Sequence, residues 1–173
     1  MFAPSEPGWR GSSHSSTSAR KQLAEAALVP FRGTFEHTLD AKNRLTVPVK
    51  YRTALGDGAL LAMPLDQQPC VAIWLPGEYD SYTAGALAEL PPLSPRRSEL
   101  ERFFFGNSQL VELDGAGRVM LPAFLIEHAK LAKDVFVVGA GSRLELWGRA
   151  AWSEHQPALL SGVADITAHV DDA

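Results

Sequence analysis

Asp40 and Arg44 lie four residues apart in LDAKNRLTVP, and Asp114 and Arg118 repeat that spacing in LDGAGRVMLP. At an offset of 74 residues four positions are identical: Leu39/Leu113, Asp40/Asp114, Arg44/Arg118 and Pro48/Pro122. Apolar residues also match at Leu45/Val119 and Val47/Leu121. An aspartate opening a turn accepts backbone N–H bonds and organises it. An arginine at the turn's exit presents a planar fork of donors suited to bidentate contact with phosphate or a guanine edge. The same residues admit an architectural reading, an Asp–Arg pair bracing a tight hairpin, and the two readings are compatible. Lys42 adds charge to the first tip. The second tip has Gly115 and Gly117 and no lysine, so if the tips contact phosphate the first copy is expected to grip harder.

The elements that must position these residues follow from periodicity. FRGTFEHTL places Phe31, Gly33, Phe35, His37 and Leu39 on one face and Arg32, Thr34, Glu36 and Thr38 on the other. That alternation predicts a half-buried strand. DAKN is a turn, RLTVP a second strand, and PVKYRTAL a helix with Pro48 in its first turn. ALLAM and CVAIWL are further short strands. The second copy repeats the order: SQLVEL, the turn DGAG, RVMLP, the helix PAFLIEHAKL, then DVFVVGAG and RLELW. GEYDSYTAGALAEL and LSPRRSELERFFFG read as helices between the copies, the latter with Ser94 as cap and Pro95 at the first helical position. AAWSEHQPALLSG reads as a shorter helix after the second copy. Ser-rich residues near the N-terminus predict disorder to about Ala19, and RKQLAEAAL a short helical turn.

The chain has 173 residues and a net charge of −4, which argues at first against nucleic acid. The distribution says more. Residues 31–52 carry Arg32, Lys42, Arg44, Lys50 and Arg52 against Glu36 and Asp40, whereas residues 53–173 carry 8 basic and 16 acidic groups. One basic segment, Arg32 included, stands in an otherwise acidic chain. A solvated charged face is the plainer reading of the same charges. No apolar run is long enough to span a bilayer and no signal-peptide core is present, so a cytoplasmic protein is expected. Cys70, the only cysteine, is expected to be packing. The five histidines show no metal-ligand spacing, and no nucleophile elbow, phosphate loop or dinucleotide fingerprint occurs. No catalytic residue, metal or cofactor is expected.

From Phe31 to about Trp152 the chain resembles the MraZ family of bacterial transcriptional regulators. The resemblance is carried by FRGTFEHTLDAKNRLTVPVKYR, RRSELERFFFG, LDGAGRVMLP, VFVVGAGSRLELW and the doubled Asp-x-x-x-Arg. It implies an α+β fold of two tandem AbrB-like swapped-hairpin β-barrel half-units with intervening and C-terminal helices, behind a disordered N-terminal tail. The expected organisation is an extension over 1–29, a first DNA-binding unit over 30–80, linking helices over 81–106, a second unit over 107–150, and a C-terminal helix and tail over 151–173. The resemblance also implies a nucleoid-associated, ring-shaped homo-oligomer that binds short direct repeats in double-stranded DNA. By the same resemblance the sites are expected upstream of its own gene, at the head of a cell division and cell wall cluster, with repression the usual outcome. Arg44 is then the leading DNA contact, Asp40 shapes its loop, Arg118 and Asp114 are the second pair, and Lys42 and Arg32 add charge. Asn43 stands where many members have glycine, and asparagine tolerates the positive φ needed there. An AbrB-like antitoxin that also binds a toxin is the alternative; only about 21 residues follow Trp152 to serve as an arm.

Overall fold

The structure, a computed structural model, describes residues 31–56 and 58–168, with side chains to residue 163. The expected disordered extension and its short helical turn lie outside the described residues. The first copy supplies β1 (Thr34–Thr38), β2 (Arg44–Thr46), α1 (Val49–Leu55), β3 (Gly58–Ala62) and β4 (Cys70–Trp74). Two helices follow, α2 (Pro76–Ala88) and α3 (Pro95–Gly106). The second copy supplies β5 (Ser108–Glu112), β6 (Arg118–Met120), α4 (Ala123–His128), β7 (Asp134–Gly139) and β8 (Arg143–Gly148), and α5 (Arg149–Ala168) ends the described chain.

The two copies do not fold beside each other; they interlock. Six strands form one sheet in the order β1-β7-β8-β4-β3-β5, and β2 pairs with β6 in a separate ribbon. Exchanging each strand for its counterpart in the other copy reverses that order and reproduces it, so the sheet has an internal two-fold relationship. Each copy's first strand pairs antiparallel with the other copy's third, β1 with β7 and β5 with β3. The seam is β4 against β8, with Val71 opposite Leu146 and Ile73 opposite Leu144. The fold is therefore α+β, built from two tandem swapped-hairpin half-units.

A shared core explains the interlock. Leu39, Leu45, Val47 and Leu55 from the first copy pack with Val119, Leu121, Leu125, Val135, Val137 and Leu146 from the second. Neither copy's apolar face is covered until the other closes over it. The outer face of the sheet is covered by helices. Trp74 and Ala72 of β4 pack with Tyr79 and Leu87 of α2 and Phe104 of α3. Cys70 and Trp147 pack with Trp152 of α5. Every residue of β4 is consequently buried, which is why CVAIW is a continuous apolar run rather than an alternating one.

Local signals decide the helix starts. Helices α1 and α4 follow directly on Pro48 and Pro122. The Ser94 side chain accepts the Arg97 N–H at 3.2 Å at the start of α3, with Pro95 next. Tyr79 Oη donates to the Phe104 carbonyl at 2.9 Å and ties α2 to the end of α3. One element is longer than expected: α5 has 20 residues and continues past Gly162, where the expected AAWSEHQPALLSG helix ends. Pro157 lies on its exposed side and removes a hydrogen bond without stopping the helix, which Trp152 anchors through Trp147 at 5.5 Å between ring centroids.

Candidate nucleic-acid interface

The two Asp-x-x-x-Arg segments form the same loop. In the first, Asp40 Oδ1 accepts the N–H groups of Lys42 and Arg44, each at 2.9 Å. Asp40 Oδ2 accepts Arg44 Nε at 2.7 Å. The backbone closes with Asn43 N–H to the Asp40 carbonyl at 2.9 Å and Asp40 N–H to the Arg44 carbonyl at 3.1 Å. In the second, Asp114 Oδ1 accepts from Ala116 at 2.9 Å and Arg118 at 3.0 Å, and Oδ2 accepts Arg118 Nε at 2.8 Å. Gly117 and Asp114 make the same two backbone closures. Each loop thus turns on a residue in the left-handed region, Asn43 at φ 56° and Gly117 at φ 73°. This is the pattern of a three-residue hairpin loop closed by a left-handed residue. Asparagine in place of glycine leaves the first loop's hydrogen bonding intact.

The β2–β6 ribbon brings the loops together. Arg44 lies opposite Met120, Leu45 opposite Val119 and Thr46 opposite Arg118. The loops are clasped by Val47 N–H to the Gly117 carbonyl and Leu121 N–H to the Asn43 carbonyl, each at 3.0 Å. Arg44 Nη1 then reaches Asp114 Oδ2 at 3.7 Å, and Arg118 Nη1 reaches Asp40 Oδ2 at 4.0 Å. Two pairs distant in sequence become one four-charge network, its side chains 25–35% exposed. The Arg44 N–H group holds the Asp40 carboxyl below its ordinary range, assisted by the Arg44 guanidinium and the Lys42 N–H against a partial burial that raises it. At Asp114 partial burial pushes upward, and the Arg118 N–H, its guanidinium and the Ala116 N–H outweigh it, leaving that carboxyl lowered as well.

The architectural reading of the Asp–Arg pairs is therefore present in the structure. Each arginine gives its Nε–H to an aspartate and keeps other Nη donors on a half-exposed edge. The network itself is neutral, so any net attraction for an anion must come from cations around it. Lys42 is exposed on the first tip and makes no ion pair among the described residues. Arg32 is placed apart: its N–H donates to Tyr51 Oη at 2.8 Å and its carbonyl accepts from Lys50 Nζ at 3.2 Å, but its side chain makes no hydrogen bond or ion pair with the network among the described residues. Lys50 also sits 4.3 Å over the Phe35 ring.

Sequence reasoning missed two residues near the loops. The Lys133 carbonyl accepts Leu39 N–H at 2.8 Å, which sets Lys133 beside the first loop. Arg52 of α1 donates Nε–H to the Val47 carbonyl at 2.9 Å and lies against Gly117 of the second loop. Both were legible only as basic residues, because contact with a loop depends on pairing across the copies. Two of the three linking-helix arginines are otherwise engaged: Arg97 gives Nη1–H to the Leu87 carbonyl at 2.8 Å and pairs with Glu101, and Arg102 pairs with Glu99, whereas Arg96 is exposed and makes no ion pair among the described residues. Among the described residues no helix is long and apolar enough to cross a membrane, and no cluster of three potential metal ligands occurs.

Comparison with known proteins extends the likeness along the chain. The family model described as "MraZ protein, putative antitoxin-like" matches residues 30–99 and 104–162. A protein from a Thermoanaerobacter species, named transcriptional regulator MraZ, is 35% identical over 140 residues, covering 81% of this chain and 96% of that protein. A Hydrogenovibrio crunogenus protein of the same name is 34% identical over 142 residues, covering 79% and 93%. One from Desulfitobacterium hafniense is 38% identical over 125 residues, covering 72% and 85%.

Proposed function

The chain belongs to the MraZ family, and on that premise we propose that it is a sequence-specific, DNA-binding transcriptional regulator and not an enzyme. The observation that carries this reading is the pair of equivalent loops clasped side by side, each presenting an oriented arginine edge. Two tips at a fixed separation suit a repeated target, because the second contact is made at high effective concentration. Arg44 and Arg118 are the readers, Asp40 and Asp114 hold them, and Lys42 and Arg32 strengthen the field. Residues 30–80 and 107–150 act as the two DNA-binding units and 81–106 as their link. Several copies in a ring would present many tips to direct repeats upstream of the protein's own gene, at the head of a cell division and cell wall cluster on the nucleoid, and repress it. Because its body is acidic, the ring would touch DNA only through the tips.

The test is binding of the full-length protein to its own upstream DNA across a salt series, for wild type, Arg44→Ala and Arg118→Ala, with assembly checked by size. Wild-type affinity is expected to fall steeply with salt, as counterion release requires. Arg44→Ala is expected to lose about 1–3 kcal/mol or more per site, Arg118→Ala less, with assembly intact. An assembled Arg44→Ala that binds like wild type would reduce the loops to architecture. The matched family's description also allows an antitoxin reading, which a toxin gene beside this one would favour over a cell wall cluster.

A further inference from the structure

The second loop lacks a lysine, yet it does not lack a neighbouring cation. The Arg52 side chain crosses from α1, in the other copy, onto Gly117. A Cβ on Gly117 would stand 2.5 Å from both Arg52 Cδ and Nε, and 2.9 Å from Cζ, so the arginine occupies the space that any side chain at 117 would need. Its Nε–H is fixed by the Val47 carbonyl at 2.9 Å, and Val47 N–H in turn holds the Gly117 carbonyl at 3.0 Å. The guanidinium is thus locked to the second loop through one edge. It is only partly buried, and it makes no ion pair among the described residues. Its charge is felt nearby: His37 is lowered first by burial and then by Arg52. At the matching place the second copy carries Ile126, packed against the core, so the first loop has no counterpart of Arg52; its neighbouring cations are its own Lys42 and Lys133, which the second copy sets beside it.

We infer that Arg52 is the phosphate-contacting cation of the second tip, supplied across the internal two-fold by the first copy, so that the tip without a lysine of its own also carries an unpaired positive charge. This rests on the DNA-binding reading above. It makes the second tip a composite surface to which both halves contribute. It also gives Gly117 a second reason to be glycine, since it must accept both a positive φ and an arginine lying across it. A guanidinium held at one edge by a carbonyl keeps its Nη donors in a fixed fork, which costs less ordering on meeting a phosphate than a free lysine would.

The experiment extends the salt series on the same upstream DNA to Arg52→Ala, Arg52→Lys and Arg52→Gln, with Arg44→Ala in parallel and thermal melts on every variant. Arg52→Ala and Arg52→Gln are expected to bind roughly three- to tenfold more weakly, with a log–log salt slope smaller by about one for each second tip engaged. Arg52→Lys is expected to keep the wild-type slope, because it keeps the charge. The glutamine variant guards against a folding artefact, since it retains a donor that can reach toward the Val47 carbonyl. If Arg52→Lys and Arg52→Gln lose affinity equally, or if Arg52→Gln keeps the wild-type slope while Arg44→Ala is impaired, Arg52 is structural and the inference fails alone. If wild type shows no salt-dependent binding, both readings fall together.

Discussion

The carboxylates of Asp40 and Asp114 each accept two backbone N–H bonds and one arginine Nε–H from their own loop, and this sets how the loops respond to acid. Both carboxyls are lowered in the folded chain, so protonation favours the unfolded one. Their stabilisation is complete above the ordinary aspartate value of 3.8 and is lost as pH falls through the lowered folded values. Thermal melts from pH 7 to 3 should show an acid limb opening near pH 4 that is flattened in Asp40→Asn/Asp114→Asn; an unchanged limb would remove these carboxylates from the account. His37 acts earlier. Its lowered value means the fold prefers the neutral ring, so its contribution is full above 6.5 and declines as pH falls below it. At this scale much was legible from the sequence. An aspartate, a left-handed residue and an arginine at fixed spacing specify a hairpin loop by local hydrogen bonding alone. The cross-pairs Arg44–Asp114 and Arg118–Asp40 were not legible, because 70 and 78 residues separate the partners.

The element that matters most is the shortest. The β2–β6 ribbon has three residue pairs, and Leu45 opposite Val119 is its fully buried centre. Leu45→Ala removes a side chain shared by both copies and should cost about 2–5 kcal/mol by denaturant unfolding. Ser94→Ala, which removes the cap of α3, should cost only about 1 kcal/mol and leave DNA affinity nearly unchanged. A Leu45→Ala cost below that of the cap would contradict the ribbon's central place. Alternation and proline positions revealed the strands and helix starts. They also gave a helix through Pro157, but not that α5 starts at Arg149 and continues past Gly162 to Ala168.

Across the whole molecule, the sheet is continuous only because both copies enter it. Residues 31–106 alone would leave β1 without β7, β2 without β6, β3 without β5 and β4 without β8. Expressed separately, that half should be unfolded or a symmetric dimer that rebuilds the missing pairings with a second copy of itself. A stable folded monomer, seen by light scattering and amide dispersion, would show that the halves are independent. The repeat, its loops, the strand and helix order and the basic first segment were determined by sequence, since each depends on neighbours within about ten residues. Which strand pairs with which, the merging of two ion pairs into one network, and the placing of Arg52 on a loop 65 residues away were decided only by tertiary structure. The physical reason is that each copy's apolar face is too small to close on itself, so burial is completed by exchange between the copies, and the residues that exchange brings together share no local signal.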